Sequence, residues 1–190
     1  MRAGLPSGEV SSTLFFIGLA KVLFGVVVGA VGIFFGTRIF GRMTGFRQVD
    51  EELAKGNSAC AVLIASAVLS LGILAQHAVV ATFSAMDLAF RNQKFEPVML
   101  LVFLIYGLAH VLTAFGVGLA VLKLGTFLFD RLTKGVDETA EIKKGNLAPA
   151  LVLGAVVVVL ALMTAPGLEM ALDGLLPLPT LARDELLAPS

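Results

Sequence analysis

Four long apolar runs alternate with short polar segments along the chain. The runs cover Thr13–Phe35, Asn57–Val80, Pro97–Leu122 and Leu147–Leu168. Each run is close to the roughly 20 residues that a helix needs to cross about 30 Å of hydrocarbon. The runs are unbroken rather than alternating, and four strands cannot close a membrane barrel. The pattern therefore predicts an all-α membrane protein with four transmembrane helices.

The polar segments after the first and third runs, here called the connectors, are copies of each other. Gly36–Ala61 and Gly125–Ala150 align without a gap at an offset of 89 residues. The alignment predicts two helical hairpins that enter the membrane in the same direction, as parallel repeats. The eleven identical pairs are Gly36/Gly125, Thr37/Thr126, Phe40/Phe129, Arg42/Arg131, Thr44/Thr133, Glu52/Glu141, Lys55/Lys144, Gly56/Gly145, Asn57/Asn146, Ala59/Ala148 and Ala61/Ala150.

This duplication divides the chain into five parts. We expect a lead at 1–12, repeat 1 at 13–80, an outer loop at 81–96, repeat 2 at 97–168 and a tail at 169–190.

Basic residues in short loops predict the orientation of the chain in the membrane. Nine basic residues lie in or beside the connectors and four lie on the opposite side. The positive-inside rule then places both connectors in the cytoplasm and both termini outside. The nine are Arg38, Arg42, Arg47, Lys55, Lys123, Arg131, Lys134, Lys143 and Lys144, and the four are Arg2, Arg91, Lys94 and Arg183.

The composition supports a membrane protein and excludes several other classes. The chain is 57 % apolar and 15 % charged, with a mean hydropathy of +0.94, whereas soluble domains carry about 25 % charged residues. A net charge of zero gives no case for nucleic-acid binding. Because Cys60 is the single cysteine, an intrachain disulfide and a cysteine-based zinc site are excluded. With Arg2 the one base before Lys21, we expect the first run to be a retained helix rather than a cleaved signal.

Two ionisable residues occupy aligned positions inside the apolar runs. Lys21 aligns with His110, which is near the middle of its predicted span. A charge at such depth is costly and should avoid lipid, so both side chains are expected to face a packed interior or a wet cavity. The functional hypothesis is an ion or proton pathway that also includes His77. The alternative is that Lys21 snorkels outward and His110 is a neutral packing residue. Glycines at helical spacing around both residues predict helix packing: Gly18, Gly25, Gly29, Gly32, Gly107 and Gly118.

Each connector ends in the sequence Lys-Gly-Asn. Gly56 and Gly145 suit the left-handed position after a short helix, and Asn57 and Asn146 suit the cap of the next helix. The structural interpretation is a tight turn. The functional alternative is that the repeated charged residues line a cytoplasmic mouth or bind a partner. The connector positions singled out are Arg42, Thr44, Glu52, Lys55, Gly56, Asn57, Arg131, Thr133, Glu141, Lys144, Gly145 and Asn146.

The repeated connector resembles a family of bacterial inner-membrane proteins called domain of unknown function 350. The residues that carry the resemblance are Phe40, Arg42, Thr44, Glu52 to Asn57, Ala59 and Ala61, then Phe129, Arg131, Thr133, Glu141 to Asn146, Ala148 and Ala150. The resemblance implies a four-helix protein of the bacterial cytoplasmic membrane. It also implies a link to membrane-stress proteins. An aspartate that the family pattern places before the Leu/Met-Thr unit is present as Asp130 and is replaced by Gly41 in the first copy.

Two functions remain open from the sequence. One is an oligomeric channel or transporter component that uses Lys21 and His110. The other is a membrane scaffold that binds a cytoplasmic peripheral protein through the connectors. The glycine-rich faces predict a homo-oligomer. No nucleotide loop, nucleophile triad or metal-ligand spacing is visible in the sequence, so we expect neither an enzyme nor a cofactor.

Overall fold

A computed structural model of the chain describes residues 12–46, 48–89, 97–132 and 138–175. All regular structure in these ranges is helical, which confirms the predicted all-α class. Four of the helices are long and apolar enough to cross a membrane, and the protein is a multi-pass membrane protein. The helices are α1 (Ser12–Phe35), α2 (Gly41–Met43), α3 (Val49–Ala54), α4 (Ser58–Ala89), α5 (Pro97–Leu132), α6 (Glu138–Lys143) and α7 (Leu147–Leu175), with a π-helical turn (Gly36–Phe40) between α1 and α2.

The long helices extend beyond the apolar runs that predicted them. Helix α4 continues to Ala89, α5 to Leu132 and α7 to Leu175, so residues 81–89 of the predicted outer loop are helical. Between Ala81 and Ala89 the sequence contains no proline or glycine, and nothing in it ends a helix. Hydropathy locates the part of a helix that lies in the membrane. The helix itself continues until its backbone is capped or broken.

Helix α4 is the centre of the bundle and packs against α1, α5 and α7. Its tightest contact is with α7, where a Cβ on Gly154 would clash with Ser66 Oγ. Small residues allow such close approach, and dispersion contacts rather than the hydrophobic effect hold helices together in lipid. Leu63, Leu71 and Leu74 of α4 are fully buried as a result.

Helix α1 lies at the edge of the bundle and diverges from α5. Most of its large side chains are exposed among the described residues, for example Val22 and Val26. Phe24 and Phe35 reach toward α5 instead, and Phe35 stacks on Phe115 with ring centroids 5.6 Å apart. Between the two helices an apolar cleft of about 480 Å³ remains. Helix α1 is therefore held mainly by α4.

The same aligned positions make the same contacts in the two halves of the chain. A Cβ on Gly36 would lie 2.9 Å from Val68 Cγ2, and a Cβ on Gly125 would lie 2.6 Å from Val157 Cγ1. Val68 and Val157 are themselves separated by 89 residues. The contact of α1 with α4 thus has its counterpart in the contact of α5 with α7. The arrangement of two like-oriented hairpins in a bilayer stays a prediction.

Candidate functional site

The first connector ends in a hydrogen-bonded turn between α3 and α4. The Asn57 amide donates to the Glu52 carbonyl (3.0 Å) and the Gly56 amide donates to the Leu53 carbonyl (3.0 Å). This is the Schellman pattern, and Gly56 has the positive φ of +78° that it requires. Asn57 Oδ1 then accepts from the Cys60 amide at 3.0 Å and caps α4. The predicted left-handed glycine and asparagine cap are confirmed here.

The side chains of this turn form a compact polar network. Glu52 accepts from Lys55 Nζ at 3.0 Å through one oxygen and from Asn57 Nδ2 at 3.0 Å through the other. Glu52 is therefore paired within its own connector. The three side chains therefore hold the turn in one conformation.

The second connector repeats the backbone turn and its side-chain network, but Asn146 caps α7 through a different amide, because Pro149 stands at the position of Cys60 and has no N–H. The Asn146 amide donates to the Glu141 carbonyl at 3.0 Å, and Gly145 has a φ of +90°. Glu141 accepts from Lys144 Nζ (2.7 Å) and from Asn146 Nδ2 (3.3 Å). Asn146 Oδ1 accepts from the Ala148 amide at 3.2 Å. Four of the identities between the connectors are therefore explained by the turn itself.

The networks shift the protonation of both glutamates. The hydrogen bonds from Asn57 and then Lys55 lower the pKa of the Glu52 carboxyl. The hydrogen bonds from Lys144 and then Asn146 lower the pKa of the Glu141 carboxyl. Both carboxylates accept charge-assisted hydrogen bonds, which favour the ionised form. The side-chain networks are therefore strongest while these glutamates are ionised.

The two turns lie side by side at one end of the bundle. Asn57 Nδ2 donates to the Lys143 carbonyl at 3.5 Å, and a Cβ on Gly145 would lie 3.9 Å from Asn57 Oδ1. The connectors therefore form one continuous surface, which we call the connector end.

The first connector reverses direction tightly between α2 and α3. A Cβ on Gly41 would lie 2.5 Å from Val49 Cγ2, and the Phe46 amide donates to the Gly41 carbonyl at 2.7 Å. An aspartate at this position would clash with α3, which explains why Gly41 replaces the expected aspartate. Thr44 is buried and its hydroxyl donates to the Phe40 carbonyl at 2.9 Å. Its counterpart Thr133 lies outside the described residues.

The side chain of neither repeated arginine makes a hydrogen bond or an ion pair with a residue that the structure describes. Arg42 is exposed and lines a polar cavity of about 290 Å³ together with Arg38, Asp50 and Glu51. Arg131 is also exposed, with its guanidinium carbon 5.5 Å from the centre of the Phe127 ring. Both cations remain available to a ligand at the connector end.

A second polar cavity adjoins the first. It measures about 280 Å³ and is lined by Glu52, Lys55 and Lys143, so it spans both turns. Phe46, Gln48 and Glu51 line both cavities. The connector end thus carries a continuous polar groove.

Lys21 lies at the other end of the bundle. Its side chain is half-buried and its Nζ lies 5.0 Å from the centre of the Phe83 ring, a cation–π contact. Phe83 belongs to the last turns of α4. Lys21 therefore faces protein rather than a central cavity.

His110 is buried between α5 and α4. Its Nδ1 lies 3.0 Å from Thr82 Oγ1, and the Thr82 hydroxyl donates its proton to the Ala78 carbonyl at 2.7 Å. Thr82 can then only accept from His110, so Nδ1 carries a proton. The other nitrogen, Nε2, is buried and makes no hydrogen bond with a described residue. His110 thus presents one unsatisfied polar atom inside the protein.

His110 lies on α5 thirteen residues after Pro97, the first described residue of that helix, or about 20 Å at 1.5 Å per residue. Its partner Thr82 is seven residues before Ala89, the last described residue of α4. Helix α7 places the backbone of Leu172 near the same ring, outside the geometry of a hydrogen bond to Nε2. The mid-span depth of His110 in a membrane stays a prediction.

His77 has a different partner from His110. His77 Nδ1 lies 3.4 Å from Glu169 Oε2 on α7, and both side chains are partly exposed. The structure therefore shows two separate polar pairs, one between α4 and α7 and one between α4 and α5.

The predicted packing glycines divide into two groups. Gly32, Gly107 and Gly118 contact neighbouring helices, whereas Gly18, Gly25 and Gly29 have nothing within 4 Å of a Cβ position. Within the chain the second group makes no such contact with a described residue, and its role in helix packing stays a prediction.

Sequence reasoning missed the polar residues of the α4 and α7 contact. Ser66 and Ser70 are not charged and align with no identity in the second half. Their hydroxyls donate to carbonyls one turn earlier, at 2.9 Å and 2.8 Å. The signal that finds them is the spacing of four between Ser66, Ser70 and the small residues of α4.

Comparison with known proteins gives a family but no characterised relative. No curated protein and no solved structure matches the chain significantly. The family described as Domain of Unknown Function (DUF350) matches residues 13–168. This span includes both connectors and all four long apolar runs, and the resemblance predicted from the connectors is confirmed. The chain therefore belongs to the DUF350 family.

Proposed function

We propose that this protein is a membrane scaffold of the bacterial inner membrane that binds a peripheral protein at its connector end. The observation that carries the proposal is the Asn57 contact with Lys143, which joins two identical turns into one surface. Such a surface is preorganised, and preorganisation lowers the entropic cost of binding.

The arginines identify the chemistry of the partner. Glu52, Lys55, Gly56 and Asn57 are repeated because the turn needs them, but the exposed Arg42 and Arg131 are repeated without an intrachain role of that kind. Arginine binds carboxylates through two parallel hydrogen bonds. An acidic segment of a cytoplasmic protein is therefore the proposed ligand.

Charge reversal tests this proposal. In native membranes, the double variant Arg42→Glu and Arg131→Glu should lose a protein that is photo-cross-linked from a probe at Gln48. Lys123→Glu is the matched control, because Lys123 is an exposed base near the same end that is not repeated. Retention of the cross-linked protein in the double variant, or its equal loss in the control, would reject the scaffold.

A second candidate function is a component of an ion or proton pathway. The buried Nε2 of His110, without a hydrogen-bond partner among the described residues, favours it, because an unsatisfied buried nitrogen can accept a proton or bind water. Together with Thr82, His110 would hold the proton inside the bundle.

Proton flux into reconstituted vesicles tests the pathway. The variant His110→Leu should abolish the flux while the protein still inserts. Thr113→Val is the control, because Thr113 lies on the same helix and its hydroxyl bonds only the Ala109 carbonyl, at 2.9 Å, among the described contacts. Unchanged flux in His110→Leu would remove this candidate.

A further inference from the structure

The contact between the first half of the chain (repeat 1) and the second half (repeat 2) shows how two such units pack together. Helices α5 and α7 of the second half both contact α4 of the first half. A Cβ on Gly118 of α5 would lie 2.6 Å from Leu71 Cδ2, and a Cβ on Gly154 of α7 would lie 3.1 Å from Ser66 Cβ. We call the small residues that make this contact the docking face: Gly107, Ala114 and Gly118 of α5 with Gly154, Ala161 and Ala165 of α7.

The first half carries the aligned docking face, with Gln76 at the position of Ala165, and no described residue packs on its glycines. Gly18, Gly25 and Gly29 of α1 align with the α5 positions, and none has an atom within 4 Å of its Cβ position. On α4, Ala65 aligns with Gly154 and is exposed, and Gly72 aligns with Ala161 and is open as well. The exposure of a large side chain beside the docking face differs between the two halves in the same way. Phe115 is 5 % exposed and its counterpart Val26 is 65 % exposed.

The surface on which the docking face packs, here called the receiving face, is also present twice. One copy is covered and the other is open. On α4 it is the ridge Val62, Ser66, Ser70 and Leu74, which is buried or half-buried under the second half. The aligned ridge on α7 is Leu151, Ala155, Val159 and Met163, and all four are exposed. Leu74 is 0 % exposed, whereas Met163 is 75 % exposed. Each chain therefore presents one open docking face and one open receiving face.

We propose that a second copy of this chain covers these faces, head to tail. The open docking face on α1 and α4 of one copy packs on the α7 ridge of the next, as α5 and α7 pack on α4 within the chain. This interface is heterologous, since two different surfaces meet. Because all copies share one orientation in the bilayer, successive contacts turn about the membrane normal, and a ring results where this rotation closes. The inference does not depend on the scaffold or on the pathway.

A second copy explains the open faces better than lipid does. Lipid tails cover any apolar helix, but they do not require small residues at close-approach spacing. The docking face keeps Gly18 and Gly29 where the second half uses Gly107 and Gly118 against a helix. The surface shaped to receive it is found on the same chain.

Disulfide cross-linking between two different single-cysteine variants tests the contact. In a Cys60→Ala background, Ala65→Cys and Ala155→Cys align with Gly154 and Ser66, whose Cβ positions lie 3.1 Å apart. That separation is close to the roughly 3.5–4.5 Å of a disulfide. Co-expressed in native membranes with different tags, the two variants should form a mixed dimer under mild oxidation. Neither variant should cross-link with itself.

The control pair is Leu124→Cys with Ala155→Cys. Leu124 is exposed and neighbours Gly125, which contacts Val157, so it lies at the depth of Ala155 but outside the docking face. Labelling with a lipid-soluble maleimide confirms that each cysteine is reactive. Self-cross-linking of either variant would indicate an isologous contact and overturn the proposal, as would the absence of a mixed dimer.

A pair of glycine variants provides an independent measurement. Gly72 and Gly116 are both exposed helical glycines with nothing within 4 Å of a Cβ position, so leucine fits at either site in the monomer. Gly72→Leu fills the docking face and should lower the mixed-dimer fraction severalfold, whereas Gly116→Leu should leave it unchanged. Equal effects of the two variants would contradict the proposed face.

Discussion

Removing the cap of α4 by Asn57→Ala tests how the connector turn is held. The substitution deletes the acceptor of the Cys60 amide, 3.0 Å away, and the donor to Glu52 Oε2, also 3.0 Å away. Loss of an asparagine cap costs about 1 kcal/mol of stability, within a range of about 0.5–2. The Glu52 contact is only partly buried, so the cap sets the magnitude. We expect a destabilisation of about 1 kcal/mol.

The assay is equilibrium unfolding in mixed detergent micelles with increasing dodecyl sulfate, followed by circular dichroism. Asn57→Ser is the control, because its hydroxyl retains an acceptor for the helix amide. Asn146→Ala is the comparison in the second turn, where the capping distance is longer at 3.2 Å. Asn57→Ala should cost at least as much as Asn146→Ala, since Asn57 also contacts the other turn. An unchanged midpoint in Asn57→Ala, or equal losses in Asn57→Ala and Asn57→Ser, would refute this account of the turn.

Three further predictions follow from the same geometry. The pKa values of Glu52 and Glu141 are lowered below 4.5 in the folded state. The two carboxylates therefore stabilise the fold at pH values above their pKa in the unfolded chain, and this stabilisation is lost as the pH falls through their pKa in the folded protein. The dodecyl sulfate concentration at the midpoint of unfolding, measured between pH 7 and pH 3, should decrease as the pH drops below about 4.5. The decrease should be smaller in the double variant Glu52→Gln and Glu141→Gln, and an equal decrease in both proteins would contradict the side-chain networks. Gly118→Leu should destabilise the bundle by about 1–3 kcal/mol through overpacking, whereas Gly116→Leu should have no measurable cost in the same titration, and similar midpoints would reject the close approach of α5. Thr82→Val removes the hydroxyl beside the buried histidine, so the 15N shifts of its ring should change in nuclear magnetic resonance spectra; unaltered shifts would rule out the hydrogen bond.

The sequence predicted those features that depend on local chemistry. Lys-Gly-Asn specified both turns, because a glycine with positive φ and an asparagine cap are required over a few adjacent residues. Hydropathy likewise located the four long helices. The position of Gly41 could not be interpreted from the sequence, because its reason is the contact with Val49 after the chain reverses.

Features that depend on which helices meet were not predictable from spacing. Gly25 and Gly118 occupy similar small-residue stripes, yet one is open and the other contacts Leu71. The asymmetry arises because α5 packs on α4, while α1 does not pack on α7.

The central claim is that both Lys-Gly-Asn turns lie together at one membrane surface, which the positive-inside rule places in the cytoplasm. The most direct test is thiol labelling of Lys55→Cys and Lys144→Cys in a Cys60→Ala background, with a membrane-impermeant maleimide applied to right-side-out and to inverted membrane vesicles. Both side chains are exposed, so accessibility reports the side of the membrane. The account predicts that both cysteines are labelled only in inverted vesicles. Labelling of one cysteine from each side would contradict it.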